Sequence, residues 1–236
     1  AAKAKSVELI EAHDLVKLPF REGGAFEKHG HGEDGHDDEA KEAGHDHDHE
    51  KPAEAGHEGH DHGAYDAHVW LDPANAKAMV HAIEEALVEA DPANKEIYEA
   101  NAAELMQRLD ALTAEIAAQL EPVKGKGFIV FHDAYQYFEN RFGVTAAGSI
   151  TVSPEVMPGA ERVAEIRARL KELGAACVFA EPQFEPKLVA TVTEGTDART
   201  GVLDPEGGSL EPGNDLYFDL LRKLSTSLHE CLNQGS

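Results

Sequence analysis

The sequence predicts an α/β fold built on a parallel sheet, and three observations carry that reading. Beyond residue 123, short apolar runs alternate with helical patterns. Two of the runs, GFIVF (127–131) and ACVFA (176–180), are apolar on both faces, as strands covered by helices on both sides are. Ahead of them lies one long amphipathic helix, opening at Asp91-Pro92 and stopping at Pro122.

In chain order, SVELI (6–10) reads as a short strand. The stretch from Glu27 to His62 holds thirteen acids against three lysines, with frequent glycine and no apolar periodicity. It cannot bury a core, so a mobile loop is expected over 27–64. In DAHVWLDP, His68 and Trp70 alternate with Val69 and Leu71, which suggests a short extended segment. Asp72-Pro73 is an N-cap followed by proline at the first helical position, opening a helix to about Ala90. Asp91-Pro92 repeats the signal, and Leu105, Leu109, Leu112, Ile116 and Leu120 then fall on one helical face. At 1.5 Å per residue that helix spans roughly 45 Å, enough to join two lobes. After GFIVF, DAYQYFENRFG reads as a helix capped by Asp133, and a strand follows near VTAAGSI. PGAERVAEIRARLKELG is an amphipathic helix ending at Gly174, ACVFA a strand and EPKLVATVTEG a helix. RTGVLD (199–204) is a short strand, and NDLYFDLLRKLSTSLHECL the closing helix.

Composition narrows the function. The 236 residues are 42% hydrophobic, enough for a sizeable core. Lys plus Arg number 21 against 45 Asp plus Glu, a net charge of −24. That excludes a nucleic-acid binder, which needs a basic face, and docking on anionic lipid. It favours cationic partners, metal ions included. No apolar run approaches the roughly 18 residues of a membrane span, so no membrane insertion is expected. The opening AAKAKSVELI has no signal-peptide apolar region, which fits either a cytosolic protein or a mature or trimmed chain.

Nine of the 14 histidines lie between His29 and His62. His45, His47 and His49 in HDHDH, and His57, His60 and His62 in HEGHDH, have spacings that bring imidazoles close in a flexible chain. Metal affinity there should be moderate, because ordering a loop costs entropy. It should fade near pH 6, as imidazoles of ordinary pKa about 6.5 protonate. An inert solvated linker is the plain alternative. His132, Glu181 and Asp204 each fall at the carboxyl end of a predicted strand, where ligands bind in such sheets. Imidazole with carboxylate suits Zn2+. Each also has a plainer reading: a hydrogen-bonded histidine for His132, a turn or helix start for Glu181 as against orienting a ligand, and a turn former for Asp204. His68 alone is as readily structural, and Asp72 is most simply the cap. Cys177 and Cys231 show no metal-binding spacing. They are either two buried thiols or a disulfide, which would stabilise by about 4 kcal/mol and place the protein outside the cytosol.

The runs KGKGFIVFHDAYQYFENRFGV, PEVMPGAERVAEIR, CVFAEPQFEP and GVLDPEGG occur in this order. DAHVWLDP follows a His/Asp-rich stretch, and HEC lies near the C-terminus. In these the chain resembles the zinc-specific solute-binding proteins of bacterial ABC uptake systems, from about Val7 to Cys231. The resemblance implies two parallel-sheet lobes joined by a long helix, with Zn2+ in the cleft between them. The divisions would be 1–91 for the remainder of the N-terminal lobe, 92–122 for the connecting helix and 123–236 for the C-terminal lobe. It implies His68 and His132 as zinc ligands, Asp204 as an acidic ligand closing the site, and Cys177–Cys231 as a disulfide. The family carries roughly a hundred further residues upstream, with the first strands of its N-terminal lobe and one more histidine ligand. This chain is therefore expected to be a fragment whose N-terminal lobe is incomplete. The activity implied is capture of Zn2+ in the periplasm and delivery to an ABC permease, without catalysis. Periplasmic zinc chaperones would be further partners, and the protein a monomer. The long helix would confine capture to small loop movements.

Three alternatives remain at this stage. One is a manganese- or iron-binding sibling. A second is a His-rich zinc store or chaperone. The third is an HD-type metal-dependent phosphohydrolase, suggested by His132-Asp133 but disfavoured because that pair ends an apolar strand.

Overall fold

The Asp-Pro pairs at 72–73 and 91–92 each start a helix. Asp72 takes an extended backbone and its carboxylate accepts the Ala74 N–H at 2.8 Å. Pro73, whose missing N–H is no loss in a first turn, begins α1 (Pro73–Ala90). Asp91 closes α1 through its own N–H on the Leu87 carbonyl, and its carboxylate gathers Asn94 Nδ2 and the Tyr98 hydroxyl at 2.7 and 3.0 Å. A 3-10 turn, Pro92–Asn94, leads into α2 (Lys95–Leu120), and another holding Pro122, Glu121–Val123, ends it. Leu109, Leu112, Ile116 and Leu120 are buried and Leu105 partly so, the face read from the sequence. The structure is a computed structural model that describes residues 4–21, 26, 65–151, 158–174, 177–184 and 187–233.

Past α2 the chain alternates. β1 (Phe128–His132), α3 (Gln136–Phe142), β2 (Gly148–Thr151) and α4 (Ala160–Leu173) come first. β3 (Cys177–Ala180), α5 (Lys187–Thr193), β4 (Arg199–Val202) and α6 (Leu216–Asn233) complete it. The strands form one parallel sheet in the order β2-β1-β3-β4, with Phe128 opposite Cys177 and Ala180 opposite Val202. Alternate residues serve opposite faces. Phe128, Val130, Cys177 and Phe179 join the core with α2, α3 and α6, whereas Ile129, Phe131, Ile150 and Val178 join Ile166 and Leu170 of α4 and Val189 and Val192 of α5. The chain is thus an α/β fold with helices on both faces. Gly201 on β4 has a packing reason, since a Cβ there would stand 2.5 Å from the Phe179 ring. Cys177 and Cys231 are bonded, tying β3 to α6.

Three local expectations change. SVELI does not pair into a sheet: it leads into a 3-10 turn at Leu9–Glu11, with Ile10 leaning on the core and Val7 exposed. An apolar run of this length becomes a strand only where a neighbouring ladder accepts its backbone, and here side chains take that part. Val16 exchanges both its backbone groups with the Asn75 amide, its N–H reaching Oδ1 at 2.8 Å and its carbonyl accepting Nδ2 at 3.0 Å. The Leu18 N–H donates to the Tyr137 hydroxyl at 2.8 Å, and the Pro19 carbonyl accepts from Gln136 Nε2 at 3.0 Å. Residues 15–21 form a strap fastened in this way across α1 and α3. Next, the segment at His68 is a 3-10 turn, Val69–Leu71, rather than extended chain. Val69 and Leu71 are buried and Trp70 half-buried, and a single turn can produce that alternation as well as a strand can.

Asp133 does not cap α3 either, because the helix begins after Tyr135 without a side-chain cap. Arg21, at the end of the strap, claims Asp133 instead and reaches Glu139 on α3 as well. Burial pushes the Glu139 carboxyl up, and Arg21 opposes that shift. Arg21→Met leaves two nearly buried carboxylates without their cation, so a loss of about 3 kcal/mol is expected in the denaturant unfolding free energy.

Candidate metal centre

β1, β3 and β4 all end on one edge of the parallel sheet, and the chemistry-bearing side chains follow from those ends. His132 closes β1, Glu181 comes directly after β3, and Asp204 lies two residues beyond β4. His68 arrives from the other side, just before the 3-10 turn that precedes α1. The His68 and His132 rings stand 5.4 Å apart, centre to centre, at 60°.

Each imidazole is oriented by a buried carboxylate. His132 Nδ1 lies 2.6 Å from Glu181 Oε1, and His68 Nδ1 lies 2.6 Å from Asp66 Oδ1. A carboxylate oxygen accepts, so both Nδ1 atoms carry the proton and both Nε2 lone pairs are left for a ligand. Glu181 also accepts the Tyr135 hydroxyl at 3.1 Å. Burial and the Glu181 carboxylate push the Tyr135 phenol well above its ordinary pKa, which keeps it a donor. Asp66 is fixed on every side. Its N–H bonds the Leu18 carbonyl at 2.8 Å, its carbonyl accepts the Tyr137 hydroxyl at 2.7 Å, and Oδ2 lies 3.3 Å from Gln136 Nε2.

Glu181 thus lies within hydrogen-bonding distance of the His132 ring. Asp66 escaped the sequence reading, although a carboxylate two residues before His68 was there to be noticed. Asp72 is the cap expected and more, since Arg141 grips both its oxygens at 2.6 and 2.7 Å.

Asp204, the acidic ligand that the resemblance implies, accepts hydrogen bonds on both oxygens. Its Oδ1 accepts from Gln183 Nε2 at 2.7 Å, Gly207 N at 3.0 Å and Glu206 N at 3.3 Å. Its Oδ2 accepts from the N–H and the hydroxyl of Ser209, both at 3.1 Å. Burial raises its pKa, but the hydrogen bonds from Gln183 and Ser209 outweigh that and hold it below the usual carboxylate value. Among the described residues, no three His, Cys, Asp or Glu side chains gather as a group able to hold a metal. His45, His47, His49, His57, His60 and His62 lie outside the described residues. Asp133, the partner of His132 in the phosphohydrolase alternative, is engaged by Arg21. Among the described residues no helix is long and apolar enough to cross a membrane.

Known proteins bear on this geometry. A family model described as zinc-uptake complex component A, periplasmic, matches residues 2–231. The high-affinity zinc uptake system protein ZnuA of Brucella suis is 58% identical over 234 residues, covering 98% of this chain and 70% of that protein. Its counterpart in Yersinia pestis is 45% identical over 200 residues, 84% of this chain and 62% of that protein. A crystal structure of ZnuA matches with a TM-score of 0.63 at 28% identity, covering 72% of this chain and 61% of the other. The laminin-binding adhesin Lmb of Streptococcus agalactiae gives a TM-score of 0.63 at 30% identity, covering 72% of this chain and 64% of the other. The chain therefore spans less than two thirds of these two solved structures. The family model and the Brucella and Yersinia relatives are named for a zinc uptake system, a transport system and not an enzyme. The chain belongs to the zinc-uptake family of periplasmic solute-binding components.

Proposed function

We propose that the chain captures Zn2+ through Nε2 of His68 and His132 and hands it to the ABC permease of a zinc uptake system. The observation that carries this is the pair of neighbouring imidazoles, each with Nδ1 2.6 Å from a buried carboxylate. Two nitrogen donors on rings whose centres lie 5.4 Å apart would suit zinc better than manganese, which prefers oxygen. A third imidazole from outside the described residues, or water, would complete the set. The periplasm is the proposed compartment, because a disulfide such as Cys177–Cys231 persists where conditions are oxidising. The net charge of −24 disfavours self-association and supports a monomer. The histidines of segment 27–64 would concentrate zinc near the site as weak accessory ligands, receiving it directly or from periplasmic chaperones.

The test is zinc titration by chelator competition on a chain lacking 27–63, beside the same chain with His132→Ala. One tight site, lost in the variant, is the expected result. Tight binding that survives His132→Ala refutes the ligand assignment. The orienting carboxylates give a graded version of the same experiment. Glu181→Gln and Asp66→Asn keep shape but weaken the pull on Nδ1, and each should lower zinc affinity by about tenfold to a hundredfold. Unchanged affinity in both would mean that the imidazoles do not bind through Nε2.

A further inference from the structure

Gln136, in the first turn of α3, donates twice, and both acceptors lie far upstream. Its Nε2 reaches the Pro19 carbonyl at 3.0 Å and Asp66 Oδ2 at 3.3 Å. An amide nitrogen carries two protons, whereas an amide oxygen in its place would face two acceptors, so the amide has one workable orientation. The contact with Asp66 is buried, where water does not compete for it. The next residue already fastens the same two segments by their backbones. The Tyr137 hydroxyl accepts the Leu18 N–H and donates to the Asp66 carbonyl. What Gln136 adds to that fastening is a grip on the Asp66 side chain.

That grip bears on His68. Asp66 Oδ1 accepts the His68 N–H at 3.0 Å and lies 2.6 Å from His68 Nδ1. The torsion that turns an aspartate carboxylate is a soft one, with broad minima. With Gln136 on Oδ2 the plane of the carboxylate is set, and Oδ1 stays on the imidazole. His68 depends on such help more than His132 does. Its side chain is 25% exposed against 10%, and it precedes a single 3-10 turn, whereas His132 belongs to an interior strand.

We propose that Gln136 is a positioning residue for metal binding, which acts through Asp66 to keep the proton of His68 on Nδ1 and its Nε2 free for Zn2+. This rests on the reading of His68 as a zinc ligand. A neutral imidazole carries its proton on one nitrogen or the other, and the hydrogen bond at one decides the state of the second. When the carboxylate can turn away, His68 populates the form protonated at Nε2, which has no lone pair there to give a metal.

The experiment uses the full chain and its variant Gln136→Met, of similar length but without the amide. Ring-nitrogen NMR on the metal-free protein shows which nitrogen of each histidine carries the proton, and His68→Ala identifies the His68 signals. Zinc affinity is read by chelator competition. In Gln136→Met, His68 should show a mixture of the two forms while His132 keeps its own, and zinc should bind about threefold to tenfold more weakly, the scale of one hydrogen bond. In an Asp66→Ala background the same substitution should weaken zinc no further, because the grip acts only through that carboxylate. A lowered melting temperature with the His68 ring and the zinc affinity both unchanged overturns the proposal, as does an equal loss of zinc affinity in the Asp66→Ala background. If His68→Ala leaves tight zinc binding intact, the ligand assignment falls and this proposal with it. If His68→Ala abolishes it while Gln136→Met alters neither readout, only the role of Gln136 falls.

Discussion

His132→Ala should weaken the tight zinc site by at least about a hundredfold. A protein zinc site of four ligands is worth roughly 10–16 kcal/mol, so one ligand carries about 3 kcal/mol. The loss should exceed that of Glu181→Gln, because the first removes a donor and the second only reorients it. His132 also has a structural part, since its ring satisfies Glu181 in the interior. Its removal leaves that carboxylate with the Tyr135 hydroxyl and the distant His132 N–H. A stability loss of about 1–3 kcal/mol is therefore expected in the metal-free variant as well. The two effects separate cleanly. A cooperative melt at a somewhat lower temperature, together with a lost zinc site, is the signature of a ligand. A lowered melt with zinc binding preserved would mark a merely structural histidine.

The second large effect concerns the disulfide. Cys231→Ser, or reduction under conditions that keep the chain folded, should cost about 4 kcal/mol. The bond closes a stretch with a sequence separation of 54 and joins an interior strand of the sheet to the last helix. Without it the unfolded chain regains the freedom of that closed stretch. For a chain of this length the loss corresponds to a fall of roughly 8–16 °C in Tm, read by calorimetry with and without reductant. Little of the effect should appear in Gly or surface variants of α6. A Tm unchanged by reduction would mean that core contacts such as Leu221, Leu224 and Leu228 already hold α6 on the sheet unaided.

The helices and strands after residue 72 were legible because their signals are local. Asp72-Pro73 and Asp91-Pro92 announce helix starts in two letters, and the spacing of Leu109, Leu112, Ile116 and Leu120 announces a buried face. The four strands were legible because a sheet covered on both sides asks for continuous apolar runs. The edge carrying His132, Glu181 and Asp204 followed from that, since the carboxyl ends of parallel strands share one side. What the sequence withheld depends on distant partners. SVELI has the letters of a strand but joins no ladder among the described residues. Asp133 has the letters of a cap, yet Arg21, far upstream, takes it. Asp66 and Gln183 are ordinary loop residues until the fold brings His68 to one and Asp204 to the other. In each case the deciding contact joins segments that no local periodicity relates.

The strap over residues 15–21 would make the proposed metal site reciprocal with a distant part of the chain. Leu18 grips Asp66 through its carbonyl and Tyr137 through its N–H, and Asp66 in turn sets the His68 ring. A cation that binds best when His68 is held in place must, by thermodynamic linkage, stabilise the fastened strap by the same free energy that the strap lends to binding. Opening of the strap and departure of the metal are then two faces of one equilibrium. A permease able to peel residues 15–21 away would not need to touch zinc in order to release it.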